Sequence, residues 1–351
     1  MINALQGRRV LLIGGAGFIG HHLALTLQEL GAIVRVVDSL QVNHLAAIAG
    51  APKPLPNRAL YLDLLQSRLQ LLAEAGVPLD VVDARDETAL AAVFESFAPQ
   101  AVVQLAAVAH ANRANRDPRA AFEHSTRTLH HALELARGTA EHFVFFSSSM
   151  VYGNFEAAAV DEETPCRPIG IYGALKLAGE LAVKAHQQVF GTSYTIVRPS
   201  ALYGERCVSR RVGQVFIESA LMGKELIVHG TGEERLDFTY IRDLVDGVVR
   251  CLGHPAARNQ TFNLTAGNGR SVNEMLAILR AKLPGVRVRH AAKQALMPER
   301  GTLSVEKARS LIGYEPRHQL EIGFAHYIDW YRELFEARGY GAAARAAAAA
   351  D

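Results

Sequence analysis

The chain has 351 residues, 49% of them hydrophobic and 21% charged, with a formal net charge of +2; this is the balance of a globular protein with a large core, and with no run of lysine or arginine it argues against a nucleic-acid partner. Cys166, Cys207 and Cys251 lie far apart, at no metal-ligand spacing and odd in number, so neither a metal site nor a disulfide framework is expected and reduced thiols are. The first apolar stretch, residues 10–13, runs straight into glycines and is too short for a signal segment or a membrane span, so a cytoplasmic chain with no membrane partner is expected.

Residues 9–13 read as a first strand, 21–30 as a helix stopped by Gly31, and 33–37 as a second strand. Further strands are predicted at 77–82, 101–105, 143–146 and 195–197. Near-continuous apolar strands separated by helices predict an α/β protein with a Rossmann-type, doubly wound parallel sheet. The connection between Asp38 and Val77 is longer than a crossover needs. Pro52, Pro54 and Pro56 interrupt it, and 59–75 reads as an amphipathic helix, so residues 41–76 form an insertion. It is either a surface helix packed on the sheet or a lid or subunit contact. Residues 1–200 therefore form one domain. Residues 201–338 form a smaller α/β portion, from which the chain returns to the first sheet around 235–265. The alanine-rich tail 339–351 has no face to bury and is expected to fray.

Gly14-Gly15-Ala16-Gly17-Phe18-Ile19-Gly20 joins the first strand to the first helix. Glycines there let the backbone approach a pyrophosphate, whose charge rests on the helix N-terminus. Asp38 ends the second strand, where a carboxylate accepts hydrogen bonds from both adenosine ribose hydroxyls and repels a 2′-phosphate; the cofactor predicted is NAD rather than NADP. Asp83, at the end of the third strand, is either a helix N-cap or an adenine contact.

Tyr172 and Lys176 stand four apart, on one face of a predicted helix. A nearby ammonium favours phenolate, so Tyr172 is expected to titrate below its ordinary range and to act as a base toward an alcohol. Ser148 follows the fifth strand, at the end where parallel sheets bind ligands, and can polarise the reacting oxygen; the alternative for it is a local hydrogen bond to backbone.

Together these pieces resemble the extended short-chain dehydrogenase/reductases, the NAD-dependent epimerase/dehydratase family, and most of all its nucleotide-sugar 4-epimerases. The resemblance runs over roughly residues 8–335 and includes Gln104-Leu105-Ala106-Ala107, Val151-Tyr152-Gly153, Arg198-Pro199-Ser200-Ala201-Leu202-Tyr203-Gly204, Leu236-Asp237-Phe238 and Pro298-Glu299-Arg300-Gly301. It implies a catalytic triad of Ser148, Tyr172 and Lys176. It implies NAD contacts at Gly14, Gly17, Phe18, Ile19, Gly20, Asp38, Asp83, Ala84, Leu105, Ala106 and Ala107, with Tyr172 and Lys176 at the nicotinamide end. For the substrate, a nucleoside-diphosphate sugar, it implies Arg300 at the diphosphate, with Ser148 and Ser149 beside the sugar; Arg235, Arg210 and Arg211 are further candidate cations, the alternative for all four arginines being a place on the surface, and His110, after the fourth strand, either contacts the hexose or is a capping or solvated loop histidine. It also implies a homodimer formed through helices near 120–137 and 172–190.

Look-alike dehydratases and decarboxylases commonly carry acids at the two positions after the catalytic hydroxyl. Here these are Ser149 and Met150. Methionine is neither acid nor base, so 4-epimerisation of a nucleoside-diphosphate hexose or uronic acid, by transient oxidation and re-reduction, is the expected reaction. A dehydratase, reductase or decarboxylase of the same family, and a non-catalytic NAD-sensing regulator, are the alternatives. The sequence departs from the family pattern at Ala201, where asparagine is usual, at Leu236, where arginine is, and at Ser125, where asparagine is common.

Overall fold

The computed structural model describes residues 4–41, 45–50, 57–108, 111–293 and 296–340. In chain order the first part runs β1 (Arg9–Ile13), α1 (Phe18–Glu29), β2 (Ile33–Asp38), α2 (Leu45–Ala49), α3 (Arg58–Glu74), β3 (Leu79–Val81), α4 (Glu87–Phe97) and β4 (Ala101–Gln104). Then come α5 (Ala111–Arg116), α6 (Pro118–Phe122), a π-helical turn at Glu123–Arg127, α7 (Thr128–Ala136), β5 (His142–Phe146), β6 (Ala159–Val160), α8 (Gly170–Phe190) and β7 (Tyr194–Arg198). The remainder is α9 (Val212–Leu221), β8 (Leu226–His229), β9 (Arg235–Asp237), α10 (Ile241–Gly253), β10 (Gln260–Asn263), β11 (Gly269–Ser271), α11 (Val272–Lys282), β12 (Val288–Ala291), β13 (Thr302–Leu303), α12 (Glu306–Ile312) and α13 (Leu320–Arg338).

Seven strands form one sheet in the order β10-β7-β5-β4-β1-β2-β3, and every pairing in it is parallel. The architecture is the doubly wound Rossmann type. The seventh strand, β10, enters from the second half of the chain and pairs with β7. Strand alternation divides the core between the two faces of the sheet. Val10, Leu12, Val34, Val36 and Val144 join one apolar cluster with α1, α3, α10 and α13, whereas Leu11, Ile13, Val102, Phe143 and Phe145 join a second with α4 and α7. Each such large side chain contributes about 1.5–3 kcal/mol on burial, and it is the two-sided burial that makes these strands apolar throughout.

Strand order reverses between β1 and β4, so the loops after these two strands diverge and leave a crevice at their carboxyl ends. Register aligns the rim: Ile13 pairs with Val37 on one side and Gln104 on the other. Gly14, next in the chain, has φ +84°, and a Cβ there would lie 2.7 Å from the Ala106 nitrogen. Only glycine lets the two loops approach so closely.

The insertion helix, expected at 59–75, is α3. It buries Leu60, Tyr61, Leu64 and Leu72 in the first cluster, together with residues of α9, α10 and α13. Among the described residues no helix is long and apolar enough to cross a membrane. The frayed tail expected at 339–351 lies, from 341 on, outside the described residues, as does part of the 41–76 insertion.

Candidate active site

A cavity of about 420 Å³ opens along the carboxyl ends of the central strands, within the range of roughly 300–1,000 Å³ usual for small-molecule sites. Around it the structure gathers Gly14, Gly17, Phe18, Ile19, Gly20, Asp38, Asp83, Ala84, Leu105, Ala106 and Ala107 on one side, and Ser148, Ser149, Tyr172, Lys176 and Arg300 on the other. His110 lies outside the described residues. Arg235 is not brought to the cavity: it sits on β9 and its guanidinium donates to the Gly269 carbonyl. Sequence position alone could not tell it from a cavity arginine, because β9 pairs with β11 in a separate two-stranded sheet.

At the first end, α1 begins at Gly17 with no side chain capping it and no acid in its first turn. Its N-terminal N–H groups and the positive end of its dipole are thus left for an anion. Asp38 braces this turn. Its Oδ2 accepts from the Ala16 N–H at 3.1 Å and its Oδ1 from the Leu40 N–H at 2.8 Å. Burial pushes the Asp38 carboxyl up, while these two N–H groups and the charge of Arg68 hold it down. Asp83 is not a helix cap. The N-cap of α4 is Asp86, whose Oδ1 accepts from the Ala89 N–H at 3.0 Å. Asp83 instead accepts from Gln41 Nε2 at 3.0 Å and from the Arg85 guanidinium at 2.6 Å, and this arginine holds its carboxyl below the ordinary value. These residues fit a dinucleotide: an uncapped helix start for the pyrophosphate and a fixed carboxylate for the ribose.

At the second end, β5 runs out into Ser147-Ser148-Ser149. The Ser147 and Ser149 N–H groups donate to Val197 and Pro199, which fixes the strand end. α8 packs hard against the turn that follows: a Cβ on Gly173 would lie 2.7 Å from the Met150 carbonyl oxygen. That contact sets Tyr172 beside Ser148, and both line the cavity. Ser148 Oγ accepts from the Met150 N–H at 3.2 Å, so the local backbone bond and the place beside Tyr172 coexist.

Two electrostatic details differ from expectation. Burial pushes the Tyr172 phenol above its ordinary value, opposed by the neighbouring Ser148 hydroxyl and the charge of Arg211. Lys176 does not supply the opposing charge; its Nζ donates to the Phe146 carbonyl at 2.6 Å and lies 5.1 Å from the Phe145 ring centre. Burial lowers this ammonium to about 8, with Glu180 pulling it up. The spacing of four correctly puts both groups on one helix face. It does not reveal how deeply the packing of β5 desolvates them.

Of Arg210 and Arg211, only Arg211 faces the cavity; Arg210 Nη1 donates to Tyr61 Oη at 3.1 Å. Arg211 and Arg300 each hold a buried Nε with no hydrogen-bond partner among the described residues. Burial, and after it the charge of Arg211, lowers the Arg300 guanidinium to about 10. Two like charges whose buried Nε donors lack partners among the described residues suit an anion, since an acceptor such as a phosphate would offset the desolvation cost. Arg68, on α3, also lines the cavity. The sequence signal for it was a cation inside the apolar stripe of the insertion.

Residues 10–265, more than half of the chain, match the NAD dependent epimerase/dehydratase family. The chain belongs to the NAD-dependent epimerase/dehydratase family. NAD is accordingly its cofactor, and an epimerase-type enzyme its class. Among relatives of this family member, UDP-glucuronate 4-epimerase 1 of Arabidopsis thaliana is 27% identical, over 98% of this chain and 80% of the plant protein. The UDP-glucose 4-epimerase of Mycolicibacterium smegmatis is 27% identical over 92% of this chain and 98% of its own. Among solved structures, the Thermus thermophilus UDP-glucose 4-epimerase in complex with NAD superposes with a TM-score of 0.78 at 27% identity, covering 92% of this chain and 99% of that one. The UDP-glucose 4-epimerase of Thermotoga maritima, solved with UDP-glucose, gives 0.81 at 25% identity over 93% and 100%.

Proposed function

We propose that this family member is a nucleotide-sugar 4-epimerase acting on a nucleoside-diphosphate hexose or uronic acid. The observation that carries the reading is one cavity lined by Asp38, Ser148, Tyr172, Arg211 and Arg300, the two arginines each holding a buried Nε with no hydrogen-bond partner among the described residues. In this reading the glycine turn and Asp38 hold the cofactor's pyrophosphate and ribose, with Asp83, Ala84 and the 105–107 segment along its adenosine half. Arg211 and Arg300 take the substrate diphosphate. NAD, when bound, supplies a hydride acceptor that returns the hydride within the same turnover.

Tyr172 takes the proton of the C4 hydroxyl as that carbon is oxidised, and gives it back on re-reduction. Ser148 donates to the reacting oxygen, stabilising it as a carbonyl. Lys176, held by the Phe146 carbonyl, directs its remaining donors toward the nicotinamide ribose. Ser149 and Met150 line the same wall and offer no acid or base to eliminate water from the keto-sugar. The test is incubation of the purified protein with UDP-, dTDP-, GDP- and CDP-sugars, followed by NMR. The expected product is a C4 epimer with no net change in cofactor redox state; loss of water or of carbon dioxide would overturn the reading.

The same proposal includes a homodimer in the cytoplasm. Phe122 on α6 and Leu181 and Val189 on α8, the region where the pairing is expected, are 52%, 60% and 71% exposed, and a partner would cover them. Light scattering should give twice the chain mass, and the double variant Leu181→Glu/Val189→Glu should give a monomer. A wild-type monomer would remove this part of the proposal.

A further inference from the structure

The insertion helix α3 carries one cation in its apolar row. Leu60, Tyr61, Leu64, Leu65 and Leu72 are buried at helical spacing, and Arg68 occupies a place in the same row at 1% exposure. Burying a guanidinium costs several kcal/mol unless acceptors and charge surround it. On one side Arg68 donates from Nε to the Arg206 carbonyl at 3.0 Å and from a terminal nitrogen to the same oxygen. On the other it lines the cavity near Asp38, whose charge acts on it.

The loop it grips is fastened to α3 at further points. Arg206 Nε donates back to Ser67 Oγ at 3.0 Å. Tyr61 Oη accepts from Arg210 at 3.1 Å and donates to Glu218 Oε2, on α9, at 3.0 Å. The Asn57 side chain donates to the same carboxylate oxygen at 2.7 Å. Arg211, the cavity arginine, is the next residue after Arg210 and directly precedes α9. The insertion therefore bonds to the chain on both sides of Arg211, while its buried arginine lines the same cavity as Asp38 and the two charges interact.

We propose that α3 is a strap that fixes the 204–211 loop, and that Arg68 is a positioning residue coupling the Asp38 end of the cavity to Arg211 and hence to the substrate diphosphate. This rests on the reading of the cavity under Proposed function. Arg68 touches no reacting atom in this scheme; it acts by holding Arg211 where a phosphate can be met.

The test is calorimetric titration of the NAD-saturated full chain with UDP, dTDP, GDP and CDP, using whichever binds the wild type best. Arg211→Ala and Arg68→Met should each weaken that nucleotide about tenfold, and the double variant no more than the stronger single one, because contacts in one network are not additive. Arg68→Lys should restore part of the loss. Where Arg68→Met does not fold, Tyr61→Phe, which removes the hydroxyl between Arg210 and Glu218, should weaken the nucleotide several-fold and be equally non-additive with Arg211→Ala. If Arg211→Ala weakens binding while Arg68→Met, or Tyr61→Phe in its place, leaves it unchanged or multiplies with it, the strap is refuted and the reading of the cavity survives. If no nucleoside diphosphate binds the wild type, or Arg211→Ala binds as wild type, the reading itself fails and the strap with it.

Discussion

Behind the serine run lies an ion pair that ties the strand end to α8. Arg198 and Glu180 are 3% and 0% exposed and meet in two bonds, at 2.9 and 2.7 Å. Ser147 Oγ donates to the same carboxylate at 2.5 Å, and Arg198 Nη1 donates to Tyr152 Oη at 2.9 Å. Glu180→Ala would leave a guanidinium and a hydroxyl buried without their acceptor. Removing one partner of a buried pair costs about 3–5 kcal/mol, a large part of a total stability of roughly 5–15 kcal/mol. At about 2–4 °C per kcal/mol, the melting temperature should fall by about 10 °C. Substituting both partners, Glu180→Met with Arg198→Met, removes the uncompensated charge and should recover much of the loss, giving a coupling of about 2 kcal/mol or more in the cycle of wild type, Glu180→Met, Arg198→Met and the double variant. Urea unfolding of the four proteins measures it. A loss under about 1 kcal/mol for Glu180→Ala, or a coupling near zero, would refute the reasoning. Because Glu180 also raises the Lys176 ammonium, the milder Glu180→Gln should move Lys176 further down from about 8, shifting the alkaline limb of activity to lower pH.

Tyr172→Phe should cut turnover by about 10²–10⁴-fold while NAD affinity, measured by fluorescence titration, stays near wild type; retained turnover would remove Tyr172 as the proton acceptor. Asp38→Ala should narrow the preference for NAD over NADP, read as the ratio of their dissociation constants, and an unchanged ratio would mean that Asp38 does not face the ribose. His142 is 1% exposed and burial lowers its imidazole to about 3, with Arg8 and Arg258 adding to the effect. Thr195 Oγ1 donates to the Ala257 carbonyl, so His142 Nε2 donates to Thr195, a bond that the Nε2–H tautomer of the neutral ring makes. Its folded pKa lies below the unfolded value of about 6.5, so the unfolded chain binds more protons between about 3 and 6.5 and stability is lost as pH falls through that window. Between pH 7 and 5 this one group should cost about 2 kcal/mol; His142→Asn should flatten that part of the stability profile, and an equally steep profile would contradict the assignment.

The legible parts of this protein are those whose signals are local. The glycine turn, Asp38 at a strand end, Ser148 after β5 and the Tyr172–Lys176 pair each depend on a few consecutive residues and a known period, and the structure gathers all of them around one cavity. Apolar runs likewise announced a parallel sheet because two-sided burial leaves no room for polar alternation. β10 was harder to place: its four residues, Gln260–Asn263, are too short to show a period.

Other features depend on which distant segments meet. Arg235 was put ahead of Arg210 and Arg211 as a candidate in the sequence, yet of the three only Arg211 faces the cavity, because Tyr61 of α3 captures Arg210 and β11 captures Arg235. Asp83 was the cap candidate in the sequence, and the turn geometry gave the cap of α4 to Asp86. The upward push on Tyr172 comes from desolvation by packed neighbours, a quantity that no spacing encodes. Residue type and period set by themselves the fold class and the cofactor of this chain and brought forward the proposed reacting groups. Tertiary packing decided which charges are buried, what each one meets, and that the inserted helix belongs to the site, since burial and electrostatics are properties of assembled surroundings rather than of neighbours along the chain.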